Sequence, residues 1–260
     1  MSNLRFYNPE NLTIGATVRL SDNTAAHATR VLRLEVSDEI VLFNGNGNDY
    51  TCAITSIKKN EVLVIVKFFV NITNESPLNI TLLQGISSGD RMDYTIQKAV
   101  ELGVTAIVPI ITTRSIVKLS NERAQKRLAH WQSVVHSACE QSGRAIIPQV
   151  AAPISLSAWL ATTPSPFMGE GWGEGKTPPT RILLNPIGAL RLAELPKPTS
   201  NIELRPVELL VGAEGGLSQS EIDIALSQGF QSVVLGARIL RTETAALVAI
   251  AAMQTLWGDF

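Results

Sequence analysis

The sequence predicts an α/β protein in two parts, a small β-barrel followed by a parallel sheet with helices on both faces. Two observations predict it. Residues 1–70 hold short runs rich in β-branched residues, each separated by turn residues. From residue 78 the rhythm changes to apolar strands alternating with amphipathic helices, and such strands lie in a sheet buried on both sides.

The elements follow in order. ATVRL, DEIVLF, DYTCAITSI and EVLVIVKFFV read as strands, and Asn44-Gly45-Asn46-Gly47 is a hairpin turn. TAAHATRVLRL (24–34) breaks the pattern and reads as one short helix. A barrel of about five strands with one helix fits. LNITLLQGI is then a strand, and Asp90 is placed to cap the helix RMDYTIQKAVEL, which Gly103 stops. Its Met92, Ile96, Ala99 and Val100 fall on one face. TAIVPII is a strand. NERAQKRLAHWQSVVHSACEQSG is a long helix stopped at Gly143, in which His130 and His136 read as structural. AIIPQV, RILLNP and VELLVG are further strands. Residues 161–180, ATTPSPFMGEGWGEGKTPPT, are dense in Gly, Pro, Thr and Glu and read as a low-complexity loop. The expected domains are 1–72 and 73–260, with 161–180 inserted in the second.

Composition narrows the function classes. The chain has 260 residues, of which 45% are hydrophobic and only 5% aromatic, so its cores must be aliphatic. The start shows no signal peptide, no apolar run approaches the ~18 residues of a membrane span, and Cys52 and Cys139 stand in no metal-ligand spacing. A reduced, cytoplasmic chain with no membrane or metal partner is the expectation. The net charge of −1 argues against a generic nucleic-acid coat. Residues 76–150 are mildly basic and 151–260 mildly acidic, so any RNA contact must be local.

The informative segment is 207–245. Val207–Gly212 is a strand ending in the turn Gly212-Ala213-Glu214-Gly215-Gly216. Ser218 and Glu221 form a capping box, with Leu217 and Ile222 as its hydrophobic staple, and the helix ends at Gly229. Ser232–Leu235 is the next strand, and Gly236 opens a second loop. Two glycine-bearing loops thus meet at the C-terminal ends of strands, where open α/β sheets bind ligands. The turn is neither GxGxxG nor a P-loop, which weakens a nicotinamide dehydrogenase. Glu214 would repel a pyrophosphate and suits ribose hydroxyls or a positive centre. Arg238, Arg241 and Glu243 gather at the mouth of an apolar helix covering 245–253, which reads as buried all round.

VGAEGGLSQSEI followed by LGARILRTETAAL closely resembles the C-terminal signature of the RsmE family, SPOUT-class methyltransferases of small-subunit ribosomal RNA. GDRMDYTIQKAVELGV, TTRSIVKL and ACEQSGRAIIP resemble it too, in the same order, and HATRVLRLEVSDEIVLFNGNG resembles its PUA-like RNA-binding barrel. Only LRFYN and 161–180 depart. The resemblance implies a deep trefoil knot in the second domain, S-adenosylmethionine as methyl donor, and a homodimer with its site at the interface. It implies methylation at N3 of one uridine, uridine 1498 of 16S rRNA. A SPOUT enzyme acting on a ribose 2′-oxygen or guanine, or a non-catalytic RNA-binding assembly factor, are the alternatives.

Carried over position by position, the cofactor would be held by three loops. The first is Leu184, Asn185 and Pro186; the second Gly212, Ala213, Glu214, Gly215 and Gly216; the third Leu235, Gly236, Ile239 and Leu240. Arg241 would orient the uracil or its phosphate. Glu243 would take the N3 proton or hold Arg241 in place. His27, Arg30, Arg33, Arg114 and Arg144 are the candidate RNA contacts.

Overall fold

The computed structural model describes residues 4–58, 61–115, 121–162, 178–188, 190–200, 203–204 and 206–260. The chain divides into two compact units, 1–75 with 136–147, and 76–135 with 148–260.

The first unit is a five-stranded sheet. Its strands are β1 (Arg5–Tyr7), β2 (Thr17–Arg19), β3 (Glu39–Phe43), β4 (Asn48–Lys58) and β5 (Glu61–Asn71), with α1 (Asp22–Ala26) after β2. They lie in the order β1-β3-β4-β5-β2, and β1 runs parallel to β3 while all other pairs are antiparallel. No described pair joins β1 to β2 and closes a barrel. Alternation puts Ile40, Leu42, Cys52, Ile54, Val62, Val64 and Val66 in one aliphatic core. At about 1.5–3 kcal/mol for each large side chain removed from water, this core is the main support of the unit.

Two details of this unit differ from the sequence reading. The helix expected over 24–34 ends at Ala26 and widens into a π-helical turn, His27–Val31. Arg33 then takes a left-handed φ of 56°, which ends any helical continuation. The strand β1 lies in LRFYN, where three residues are too few to show alternation. It is held by its ends: Arg5 pairs with Asp49 and donates to the Cys139 and Arg144 carbonyls, while Glu140 accepts the Tyr7 N–H. Burial pushes the Glu140 carboxyl above its usual value, and that N–H pulls it back.

The second unit starts with β6 (Ile80–Gly85), α2 (Asp90–Glu101), β7 (Ala106–Ile111) and α3 (Asn121–Ser142), whose residues from His136 onward belong to the first unit. Next come β8 (Gln149–Val150), β9 (Ile154–Ser155), α4 (Leu156–Thr162), β10 (Thr180–Leu184) and β11 (Leu190–Arg191). The small antiparallel pair β12 (Thr199–Ser200) and β13 (Glu203–Leu204) precedes β14 (Val207–Val211), α5 (Gln219–Ser227), β15 (Gln231–Val234) and α6 (Thr242–Trp257). The main sheet runs β11-β15-β10-β14-β6-β7-β8, with β9 also on β7, and every pair in it is parallel.

Helices cover both faces, as the alternating pattern requires. Leu83, Val108, Leu183 and Leu210 pack with Leu156, Leu160, Leu217, Ala225 and Phe230 of the α4–α5 side. On the other side α2 packs against α6, and Gln254 of α6 accepts from Ser76 and donates to the Leu102 carbonyl. The helix expected to be buried all round buries Ala246, Ala249, Ile250, Met253 and Trp257, while Val248 and Leu256 are 42% and 46% exposed. A run of nine apolar residues has no polar side to mark which face meets the sheet.

Three boundaries also move. Gly89, not Asp90, stands at the cap of α2, leaving Asp90 in its first turn, where a carboxylate meets the positive end of the helix. AIIPQV contributes only Gln149–Val150 to the sheet, since Pro148 lacks an N–H and the Ala145 carbonyl is taken by the Gly47 N–H. Of the 161–180 segment, Ala161 and Thr162 end α4 and Thr180 starts β10, while 163–177 lie outside the described residues.

Candidate functional site

Strand order reverses between β14 and β6: β7 and β8 build outward from β6, and β10, β15 and β11 build outward from β14. Loops leaving neighbouring strand ends separate at such a point and open a crevice. A cavity of about 660 Å³ lies beside this point, at the C-terminal ends of β10, β14 and β15. That is the size of a nucleoside-bearing ligand's pocket.

Each loop has a local cause. After β10, the Asn185 side chain accepts the Ile187 N–H and its carbonyl the Gly188 N–H, a turn closed on itself. After β14, Gly212 to Gly216 fold into a tight turn closed by a bridge between Ala213 and Gly216. Ser218 and Glu221 form the capping box expected of α5, with Ser218 accepting the Glu221 N–H and Glu221 the Ser218 N–H. After β15 the chain runs through Arg238–Leu240 to the start of α6 at Thr242, with Arg241 as the cap residue. The Arg241 side chain makes no capping bond, so its guanidinium is not spent on the helix.

The structure brings together nearly all the predicted site. Leu184, Asn185 and Pro186 line the cavity from the first loop, Gly212 to Gly216 from the second, and Leu235, Ile239 and Leu240 from the third. Gly236 alone of the twelve does not line it. Arg241 and Glu243 line it, as does Arg114, and no ion pair joins Arg241 to Glu243 among the described residues.

The other predicted RNA contacts stand in the first unit. His27, Arg30 and Arg33 are exposed on and just after the π-helical turn. Arg144 is different: its side chain is 5% exposed and doubly bonded to Glu75. The Glu75 pair holds that guanidinium, unlike those of the exposed Arg30 and Arg33. His130 pairs with Asp93, and His136 stacks on Tyr7 at 3.9 Å, both structural roles as expected.

Sequence reasoning missed two parts of the site. Arg91, in the first turn of α2, lines the cavity and donates to Glu214. The same Glu214 oxygen accepts the Ser88 N–H and hydroxyl. Burial alone would raise this carboxyl, but these donors outweigh it and hold its pKa below the ordinary carboxylate value. Glu221, read only as a cap, also accepts the Thr113 N–H through its second oxygen. Its pKa is likewise depressed, the Ser218 and Thr113 donors overcoming burial. Glu214 thus ties the glycine turn to the loop after β6 and the start of α2, and Glu221 ties the start of α5 to the loop after β7. Arg114, next to Thr113, donates to the Gly215 carbonyl. A Cβ at Gly215 would lie 2.9 Å from the Arg114 Cβ and 3.0 Å from its carbonyl oxygen, so only glycine fits.

The result is a pocket with an apolar floor, including Val211, Leu217 and Ile222, and a backbone-rich wall. Four exposed arginines, Arg91, Arg114, Arg238 and Arg241, surround it. Such a site holds a flat, partly polar ligand against main chain and presents its open side to a polyanion.

The RNA methyltransferase domain family model matches residues 74–254, and that of the RNA methyltransferase PUA domain matches residues 20–67. The chain is 34% identical to ribosomal RNA small subunit methyltransferase E of Buchnera aphidicola (subspecies Schizaphis graminum), covering 98% of this chain and 97% of that one. Its structure is similar to that of a ribosomal RNA small subunit methyltransferase E from Neisseria gonorrhoeae bound to S-adenosyl methionine. There the TM-score is 0.86 at 46% identity, over 99% of both chains. A Legionella pneumophila protein in complex with the bound cofactor S-adenosyl methionine matches with a TM-score of 0.89 at 33% identity over the whole of both chains.

Proposed function

Since the chain belongs to the family of the ribosomal RNA small subunit methyltransferases E, we propose that it methylates N3 of one uridine of 16S rRNA, uridine 1498, with S-adenosylmethionine as donor. The observation that carries this reading is the single cavity wall shared by the glycine turn, Arg241 and Glu243.

The residues fit the donor. The glycine turn lines the cavity, and the apolar floor suits an adenine ring. Leu184–Pro186, Gly212–Gly216 and Leu235–Leu240 would hold it, and when bound it supplies an electrophilic sulfonium methyl group. The acceptor sets the remaining demands. Uracil N3 carries a proton at neutral pH, so its in-plane lone pair is not free. Glu243 is the group that takes this proton. Arg241, always charged, donates to a uracil carbonyl oxygen and stabilises the anion that forms. Arg91, Arg114 and Arg238 meet the flanking phosphates. In the first unit, His27, Arg30 and Arg33 contact the RNA backbone.

We also propose that the enzyme is a homodimer. The exposed side of α6, with Val248 and Leu256, is the apolar surface that a second copy would cover. Light scattering should give twice the chain mass, and Val248→Glu should return it to one.

The test is methyl transfer to small subunits purified from a strain lacking this protein, with nucleoside mass spectrometry of the product. 3-Methyluridine at one position is expected. Methyl on a ribose or on guanine moves the chain to another reaction, and no transfer removes the enzymatic reading. Glu243→Gln should lower kcat about a hundredfold. If the variant keeps most of its rate across pH, Glu243 is not the base.

A further inference from the structure

A buried hydrogen-bond chain crosses the molecule just behind the cavity and is used by nothing described so far. Gln84 is the last residue but one of β6 and has no solvent exposure. Its Nε2 donates to the Thr242 Oγ1 at 2.9 Å and to the Gly85 carbonyl at 3.1 Å. Thr242 opens α6, and its hydroxyl bonds to the Gly212 carbonyl, the first residue of the glycine turn.

The direction of this chain is fixed. Rotating the Gln84 amide would set its oxygen against the Gly85 carbonyl, so the nitrogen must face that way. Thr242 Oγ1 thus accepts from Gln84, and its single proton goes to Gly212. The three elements are also in contact at the backbone. A Cβ at Gly85 would fall into the main chain at Gly212–Ala213, so β6 ends pressed against the glycine turn with nothing between them. Among the described residues Gln84 Oε1 has no hydrogen-bond partner, an uncompensated cost in a fully buried side chain.

Thr242 stands between Arg241 and Glu243, the two groups that meet the uracil in the proposed reaction. Pinning Thr242 to Gly212 fixes the start of α6 against the turn that would hold the methyl donor. We infer that Gln84 and Thr242 are positioning residues that set the distance between the cofactor turn and the Arg241–Glu243 pair. This rests on the functional reading above. Transfer of a methyl group between two bound partners depends on their alignment, and a displacement of about 1 Å can cost about a hundredfold in rate.

Thr242→Val keeps the shape and removes both bonds. At saturating RNA and donor its kcat should fall about ten- to a hundredfold, while the Kd for S-adenosylmethionine by calorimetry changes less than about threefold. Thr242→Ser, which keeps the hydroxyl, should recover most of the rate. Gln84→Met should act in the same direction and more weakly. Because the pair acts through Glu243, adding Thr242→Val to Glu243→Gln should lower kcat little further. If Thr242→Val does not fold, Thr242→Ser and Gln84→Met decide the matter by the same split of kcat from Kd. The inference is overturned by variants with wild-type kcat. It is also overturned by a loss shared equally between kcat and donor affinity that Thr242→Ser does not restore. A wild-type protein that methylates no ribosomal RNA takes down the functional reading as well, whereas an active wild type with indifferent variants takes down the inference alone.

Discussion

Strands β10 and β14 pair in register from Thr180 with Val207 to Leu183 with Leu210, and the two ends of this ladder handle charge in opposite ways. At the start, Arg181 faces Glu208 across the ladder at 2.7 Å with its guanidinium fully buried. It also donates to the Gln228 carbonyl and lies 5.5 Å from the Phe230 ring centre. Burial pushes the Glu208 carboxyl up, and Arg181 pulls it back. At the far end the same strands open into the glycine turn and the cavity, where Arg91, Arg114, Arg238 and Arg241 stay hydrated. Attraction inside the protein does little more than offset the loss of water, so the buried pair fixes register without adding much stability. An exposed cation keeps its hydration and is free to bind a phosphate. A charge buried between strands therefore serves the fold, and one exposed in the loops and helix starts around their far ends is available to the ligand.

The largest expected effect breaks the buried end. Arg181→Met leaves Glu208 uncompensated and should cost about 3–5 kcal/mol in urea unfolding. Arg181→Met with Glu208→Leu should recover most of that loss, since the desolvation goes with the pair. Arg144→Gln should act in the same direction and more weakly, at about 3 kcal/mol or less, because its guanidinium is 5% exposed and its partner Glu75 26% exposed. Unchanged stability in these variants would erase the distinction between the two ends.

The open end is tested by Gly215→Ala. The new Cβ must push back Arg114, whose Cβ and carbonyl it would meet at 2.9 and 3.0 Å. We expect donor affinity by calorimetry to fall about tenfold with a Tm shift of only a few degrees. A large Tm loss with unchanged affinity would move Gly215 from the ligand's side of the comparison to the fold's.

How much of this was readable in the sequence depends on separation along the chain. Ser218 and Glu221 are three residues apart, so the cap of α5 and the turn before it could be read directly. The alternation of β and α and the two glycine-bearing loops are equally local in their signals, whereas the Leu184–Pro186 loop is reached only through the family resemblance. Ser88 and Arg91 lie more than 120 residues from Glu214, and no spacing rule links them. Arg114 and Arg144 look alike in sequence, both in the basic middle segment. Only folding shows one on the cavity rim and the other buried against Glu75. The free side of α6 was hidden for the opposite reason, since an unbroken apolar run carries no pattern at all.

A smaller effect comes from the carboxylates that join the turn to its neighbours. Glu214 and Glu221 have native pKa values below the ordinary 4.5, so what they contribute is complete above that pH. It is lost as the pH falls through the depressed native values. Donor affinity should be flat from neutral pH down to about 4.5 and then fall. Glu221→Gln cannot accept from both Ser218 and Thr113, since its amide nitrogen is a donor. It should weaken donor binding about fivefold at pH 7 and flatten the acid fall.

The smallest effect expected is at Arg30, exposed on the first unit's π-helical turn and holding no described partner among side chains. It is the exposed counterpart of Arg144, and the sequence offers both as candidate RNA contacts. Arg30→Gln removes a charge that nothing in the fold depends on, so unfolding should shift by less than about 0.5 kcal/mol. If Arg30 meets a phosphate, RNA affinity should fall about threefold near physiological salt, and the slope of log K against log salt should shrink by about 0.7–0.9. Arg144→Gln, compared at a temperature where it stays folded, should leave that slope unchanged. The opposite result, a reduced slope for Arg144 and none for Arg30, would show that burial in the free protein does not sort these arginines by role, and that RNA binding opens the Glu75 pair.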